Sequence, residues 1–203
     1  MKLLEDYKSQ SRNIKGRLKE FKSLPKEHYL EEHLFCILTP QSNAKKCWKA
    51  IEELKKMDLM KLKENDIKLI SDILKDKTRF HNNKSKYLVS AIKNWEETKK
   101  RLDNQDIISL RNWLAENIKG YGLKEAGHFL RNIGKSNNQI AILDRHILRN
   151  LVSLEVIKDE QIKSKKDYLK LEQEFLKFSK TVNIPIDELD LLFWSQGTGE
   201  IFK

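Results

Sequence analysis

Two residues in this sequence have types and positions suited to covalent chemistry. Lys124 lies in the first turn of an apolar-periodic helix, and Asp144 stands directly ahead of the run Ile147, Leu148, Leu151. A lysine amine, once unprotonated, forms Schiff bases with electrophilic carbon, and a carboxylate stabilises positive charge as it develops in a transition state. An ordinary lysine is almost wholly protonated at neutral pH, so this chemistry needs surroundings that favour the neutral amine, through desolvation or nearby positive charge. Taken singly, Lys124 would be a solvated surface lysine and Asp144 a helix N-cap and nothing more.

The frame around them argues for more. The stretch from Ile118 to Arg149 reads IKGYGLKEAGHFLRNIGKSNNQIAILDRHILR. One helix is expected to end at Lys119, Gly120-Tyr121-Gly122 to make a tight turn, and a second helix to carry Leu123, Ala126, Phe129, Leu130 and Ile133 at i, i+3, i+4 spacing. Two glycines one residue apart let the backbone take positive φ and expose consecutive N–H groups at the start of the second helix, where the macrodipole also favours an anion. Such a hairpin holds a nucleic-acid phosphate without reading any base.

This segment resembles the helix-hairpin-helix and Gly/Pro…Asp motif of the DNA glycosylase superfamily that includes endonuclease III and the 8-oxoguanine glycosylases. KGYGLKEAGHFLRNIG, AILDRHILR and the ending LDLLFWSQGTGEIFK closely resemble the short, mainly archaeal type 2 8-oxoguanine DNA glycosylase/lyases. The three blocks occur in the family's order and the likeness covers most of the chain. It implies a base-excision-repair enzyme that extrudes and excises 8-oxoguanine and cleaves the abasic strand by β-elimination. Lys124 would form the Schiff base at C1′ and Asp144 would stabilise the charge on the sugar. Lys119, Gly120, Tyr121 and Gly122 would form the phosphate-binding hairpin.

The resemblance also assigns recognition residues. Trp194 would stack on the extruded purine, and Lys203 would bring the terminal carboxylate to its edge. Arg79 and Phe80 would enter the duplex at the lesion, the ring filling the vacated space and the guanidinium engaging the opposite strand. The loop TPQSN, 39–43, would approach the lesion or its partner base. Gln41 and Asn43 suit base-edge contacts because each amide presents both a donor and an acceptor. This loop departs from the Ala-Asn type of the family, which bears on lesion preference. No metal or organic cofactor is required, although a cation held by hairpin carbonyls near Lys119 and Tyr121 would help to hold phosphate.

Composition agrees with a polyanionic partner. The 203 residues carry 40 Lys+Arg against 30 Asp+Glu, a net charge of +10, and no long apolar span points to a membrane. Damaged double-stranded DNA is the expected partner, and a monomer the expected state. Cys36 and Cys47 are the only cysteines, too few for a four-cysteine iron–sulfur cluster. Each lies among apolar helical residues, so both are expected to be buried free thiols. No signal peptide precedes the first charged helix, which predicts an intracellular protein; the resemblance implies a prokaryote, with the protein in its cytoplasm or nucleoid.

Stepping along the chain, 1–24 predicts one or two surface helices, His28 to Leu38 a helix entering the core, and Ser42 the cap of the next helix. A short helix is expected within 57–77, a long one from Asn83 to Arg101 with Lys84 and Lys86 in its first turns, and the first hairpin arm from Gln105 to Ile118. Helices to about Leu154, from Ser164 to Ser179 and from Leu189 to Trp194 follow, with Gly197-Thr198-Gly199 turning the chain into its end. On composition alone Trp194 is core, and Lys163, Lys165 and Lys166 form a solvated charge run. The whole is an all-α fold of about ten helices in two lobes, one about 26–134 and the other about 1–25 with 135–203, forming a single glycosylase domain. Two other functions stay open at this point: the same fold acting on another lesion, mismatch or abasic site, and a non-catalytic DNA-binding module.

Overall fold

In the computed structural model, which describes residues 2–203, eleven α-helices and no strands are found among the described residues. None of these helices is long and apolar enough to cross a membrane. The chain divides into two compact units, Pro25–Phe129 and 2–24 with Leu130–Lys203.

The first unit is built around α2 (Tyr29–Leu38), in which Leu34, Phe35, Cys36, Ile37 and Leu38 are almost wholly buried. A helix apolar on every side has to be surrounded. Accordingly α3 (Ala44–Lys55) and α5 (His81–Lys93) pack on it, α4 (Ile67–Leu74) packs on both of those, and α6 (Trp95–Asn104) and α7 (Ile107–Asn117) follow. The expected helix from Asn83 to Arg101 is therefore two, broken at Asn94, whose backbone leaves the helical region with ψ near 7°. Asp106 caps α7 by accepting from Ile108 and Ser109 N–H. Such caps satisfy donors that the helix itself leaves over. Cys36 and Cys47 are buried and outside any disulfide, and Asn43 rather than Ser42 caps α3, accepting from Lys46 N–H at 3.1 Å.

The second unit is organised on α11 (Ile186–Thr198), against which α1 (Lys2–Lys22), α9 (Arg145–Ser153) and α10 (Lys165–Val182) pack. Leu189, Leu191, Leu192 and Phe193 are fully buried, with Phe175 of α10 stacked on Phe193 at 5.9 Å. Tyr7 donates to Glu188 and Ser195 donates to Gln10, so α1 is tied to α11 by polar as well as apolar contacts. The helix α11 runs past Trp194 and through Gly197 before Gly199, at φ +83°, ends it. Gly197 lies inside this helix because of a close approach: a Cβ there would sit 2.1 Å from His146 Nδ1 of α9.

The last helix of the hairpin, α8 (Leu123–Asn132), spans the boundary between the units and ends in a Schellman motif. Lys135 N–H bonds Leu130 O and Gly134 N–H bonds Arg131 O, which requires the left-handed conformation seen at Gly134, φ +70°. A Cβ on Gly134 would also lie 2.5 Å from the Lys22 Cα. Backbone cannot yield as a side-chain tip can, so Gly134→Ala should lower stability by about 2 kcal/mol or more. Urea unfolding reads this directly, and an unchanged midpoint would contradict the contact.

Candidate active site

The hairpin that carries Lys124 is fixed by three devices. Gly120 takes φ +91°, and a Cβ there would meet the Tyr87 ring at 2.9 Å. Tyr121 turns inward: its hydroxyl donates to His33 O at 2.9 Å and contacts His33 Nδ1 at 2.9 Å. Glu125 reaches back along the first turn of α8, accepting from Gly122 N–H at 3.1 Å with one oxygen and pairing with Lys124 Nζ at 2.8 Å with the other. The bond from Gly122 N–H is the acidic half of a capping box, with glycine at the cap.

These contacts sharpen the expectation. Of the two glycines Gly120 takes positive φ and Gly122 does not; a Cβ on Gly122 would press on the Glu125 carboxylate at 3.3 Å. Tyr121 N–H bonds Ile118 O, and Gly122 N–H is taken by Glu125. The donors that the helical ladder leaves over are therefore those of Leu123, Lys124 and Glu125, one step further along the chain. Lys119 is exposed beside the turn, and the Lys124 side chain is about a quarter exposed.

His33 is buried with no exposed surface, between the rings of Trp95, Tyr121 and Phe129. Because the Tyr121 hydroxyl spends its only proton on His33 O, Nδ1–H has to be the donor in the ring contact. Nε2 then carries a lone pair that meets no partner among the described residues. Burial pushes the imidazole down to about 3, since a charge there would be desolvated and its second N–H unpaired.

The same unit brings together the loop 39–43 and the Arg79–Phe80 pair. Ser42 Oγ lies 2.8 Å from Thr78 Oγ1 and accepts from Arg79 N–H at 3.0 Å. Gln41 and Phe80 are both exposed and both left-handed, at φ +54° and +58°. That conformation is unfavourable for a bulky ring. Arg79 is also exposed, its guanidinium 5.4 Å from the Phe80 ring centre. Asn43 uses its carbonyl oxygen as the α3 cap, which leaves its amide N–H groups for other work.

A residue with no role in the sequence reading is central to this cluster. Lys84 is 4% exposed, and its ammonium donates among Leu38 O, Pro40 O, Ser42 Oγ and Thr78 Oγ1. Burial pushes it down to about 8. The Cys47 thiol opposes that shift, as Glu125 does, and the charges of Lys124 and Arg79 add to it. The signal was present in the spacing, since Lys84 sits one turn ahead of Leu88, Ala91 and Ile92 on the buried face of α5.

In the second unit Asp144 is the N-cap of α9. Its Oδ1 accepts from His146 N–H at 2.7 Å and from Ile147 N–H at 2.9 Å, so the cap uses one oxygen of the carboxylate. The non-helical stretch leading to it is buried, and α10 satisfies its backbone: Ala141 N–H bonds Glu172, Tyr168 donates to Ala141 O, and Leu143 N–H bonds Tyr168. Behind it, Asp190 pairs with Arg131 in the interior. Burial pushes Asp190 up to about 7 against the pull of Arg131, with Asp144 and Asp187 adding to the rise. Trp194 is half-buried, its ring 6.5 Å from that of Phe202, and Arg17 Nε donates to Phe202 O. The chain end is docked, with Lys203 only 8% exposed. Lys163, Lys165 and Lys166 are exposed, as a solvated run.

Helices joined by a Gly-x-Gly turn, with a lysine just beyond it and a capping aspartate after it, define a helix-hairpin-helix protein of the glycosylase type. Residues 14–184 match the model of the helix-hairpin-helix 8-oxoguanine DNA glycosylases, and the chain belongs to that family. It is 47% identical to an 8-oxoguanine DNA glycosylase/AP lyase of Fusobacterium nucleatum, over 97% of this chain and 94% of that one. A crystal structure of the Methanocaldococcus jannaschii 8-oxoguanine glycosylase/lyase, in complex with a 15mer DNA containing 8-oxoguanine, matches with TM-score 0.86 and 30% identity over the whole of both chains. That of the Thermotoga maritima 8-oxoguanine DNA glycosylase matches with TM-score 0.87 and 27% identity, over 100% of this chain and 97% of that one.

His33 gives this site a pH signature. A histidine whose folded pKa is depressed binds fewer protons in the folded than in the unfolded state, so the stability it allows at neutral pH is lost as pH falls from 6.5 towards 3. His33→Phe should make the acid limb of the stability curve shallower in that window, by up to about 1.4 kcal/mol per pH unit. Urea titrations at several pH values measure it, and parallel limbs for the two proteins would contradict a neutral buried imidazole.

Proposed function

We propose that this protein removes 8-oxoguanine from duplex DNA and then cleaves the strand at the resulting abasic site by β-elimination. The observation that carries the reading is the hairpin: within a chain of this family, Gly120, Tyr121 and Glu125 hold Lys124 at the mouth of α8 as a partly exposed amine. The Fusobacterium nucleatum and Methanocaldococcus jannaschii relatives are glycosylase and lyase in one chain.

Lys124 is the nucleophile. Its unprotonated amine attacks C1′ of the damaged nucleotide, and the base leaves with the bonding pair of the glycosidic bond and takes up a proton. The adduct loses a proton from nitrogen and the sugar ring opens, the C1′–O4′ bond breaking and O4′ taking up a proton as the C1′=N bond of the Schiff base forms. Removal of a C2′ proton breaks the C3′–O bond, and water finally releases the lysine. Asp144 stabilises the positive charge that develops on the sugar, as a carboxylate held in place by two helix N–H bonds and so already oriented.

The remaining groups bring the base out and hold it. Lys119 and the free N–H groups at the start of α8 bind phosphate, with the helix dipole in support. Phe80 fills the gap in the stack and Arg79 engages the facing strand, which offsets the few kcal/mol that extrusion costs. Trp194 stacks on the purine and the carboxylate of Lys203 accepts from its edge. Gln41, and Asn43 through its amide N–H groups, read base edges. The net charge of +10 favours the duplex as a whole. One chain supplies every group, so the reading needs no second copy, and the substrate places the enzyme inside the cell with the DNA.

Borohydride reduces an imine to a stable amine, so a duplex bearing 8-oxoguanine should become covalently attached to the wild-type protein. Lys124→Gln should abolish both that adduct and strand cleavage, a loss of at least about 10³-fold for removal of a nucleophile, with DNA affinity retained. Adduct of normal yield in the variant would move the nucleophile to another residue. Absence of adduct and of excision in the wild type would overturn the function itself.

A further inference from the structure

Among the described residues Lys84 forms no ion pair with a carboxylate, yet it is buried. Its Nζ lies 2.7 Å from Leu38 O, 2.8 Å from Pro40 O, 3.0 Å from Ser42 Oγ and 2.7 Å from Thr78 Oγ1. An ammonium has three protons, so all are committed inward and at least one is shared. The four oxygens belong to the end of α2 with its following loop and to the segment that precedes Arg79 and Phe80.

Stability alone is a poor reason for this arrangement. Burying a charge costs more than burying a methionine of similar length, and hydrogen bonds do not always recover the difference. What the ammonium gives is directionality. Two exposed left-handed residues, Gln41 and Phe80, sit on the two segments that it joins. Each such non-glycine conformation costs on the order of 1–3 kcal/mol and persists only where neighbouring contacts over-determine it. The Ser42–Thr78 contact, the Arg79 N–H bond to Ser42 and the Thr78 bond to Leu38 O complete the fixing network. Without the ammonium, Leu38 O and Pro40 O lose a buried donor, and the two segments lose their common anchor.

We propose that Lys84 is the positioning residue for base extrusion: it clamps the loop 39–43 to the segment 78–80, so that Gln41, Arg79 and Phe80 meet the duplex as one rigid edge. This rests on the glycosylase reading and adds to it a residue that touches neither DNA nor the reacting atoms. The amine is not a second nucleophile, because its protons and its lone pair direction are enclosed by the four oxygens.

The test separates extrusion from the later chemistry. Lys84→Met keeps the length of the stem and removes the donors. It is compared with wild type under single turnover on one duplex bearing 8-oxoguanine and on another bearing a preformed abasic site, where no base has to leave. A 2-aminopurine beside the lesion reports unstacking. Misplacement of the edge by about 1 Å should slow excision by about a hundredfold, and the 2-aminopurine signal should fall with it. Borohydride trapping at the abasic site should stay within about threefold of wild type, since Lys124 itself is untouched. Should Lys84→Met fail to fold, Ser42→Ala removes a single acceptor from the edge of the network and should show the same selectivity with about a tenfold slowing of excision. Equal losses on both duplexes, or no loss on either, in a folded variant would overturn the clamp and leave the function standing. A wild-type protein inactive on both would instead remove the function.

Discussion

A buried phenol–imidazole contact holds the hairpin in place. Tyr121 lies in the turn itself, and its hydroxyl ends on both Nδ1 and the carbonyl of His33, inside the most buried helix of its unit. Since a buried hydroxyl left unpaired costs about 1–3 kcal/mol, the turn cannot rotate without losing more than a single bond contributes. The absence of a Cβ at Gly120 lets the same turn close on Tyr87. Lys124 follows three residues after Tyr121, so its place is inherited from a contact in the core.

The two groups assigned to chemistry are presented in the same physical way, at helix starts. Asp144 is held because α9 needs a cap and α10 needs to satisfy the strand-free backbone before it. Lys124 is held because Glu125 caps α8 from within and keeps an oxygen for the ammonium. Helix N-termini favour negative charge, which suits a carboxylate at α9 and a DNA phosphate at α8. Neither arrangement uses a long flexible loop, and in each the backbone that sets the side chain is buried or bonded.

Much of this was legible in the sequence, for reasons that can be named. The 3.6-residue apolar period gave the all-α class, and the three motif blocks gave the family. Asp144 ahead of Ile147, Leu148 and Leu151 read as a cap because cap chemistry is local. Two readings failed where tertiary contact decided. The helix expected from Asn83 to Arg101 breaks at Asn94 without a proline or glycine to announce it, and α11 runs through Gly197 because His146 leaves no room for a side chain. Lys84 had no role in the sequence reading: its spacing sets it on the buried face of α5, but nothing in the sequence shows that four oxygens from 38–42 and 78 converge on it. The end of the chain was expected from resemblance to be held at the site, and its last residue is buried; its role in reading a base belongs to the proposal.

In the proposed reaction one particular amine, placed by the hairpin, forms the covalent intermediate. Lys84 is the lysine to tell apart from it: burial pushes it down to about 8, yet four oxygens enclose its ammonium. Peptide mapping by mass spectrometry of the borohydride-reduced adduct between the wild-type protein and an 8-oxoguanine duplex distinguishes them. The reduced sugar should be found on Lys124 alone; its presence on Lys84, or on any other lysine in place of Lys124, would contradict the account.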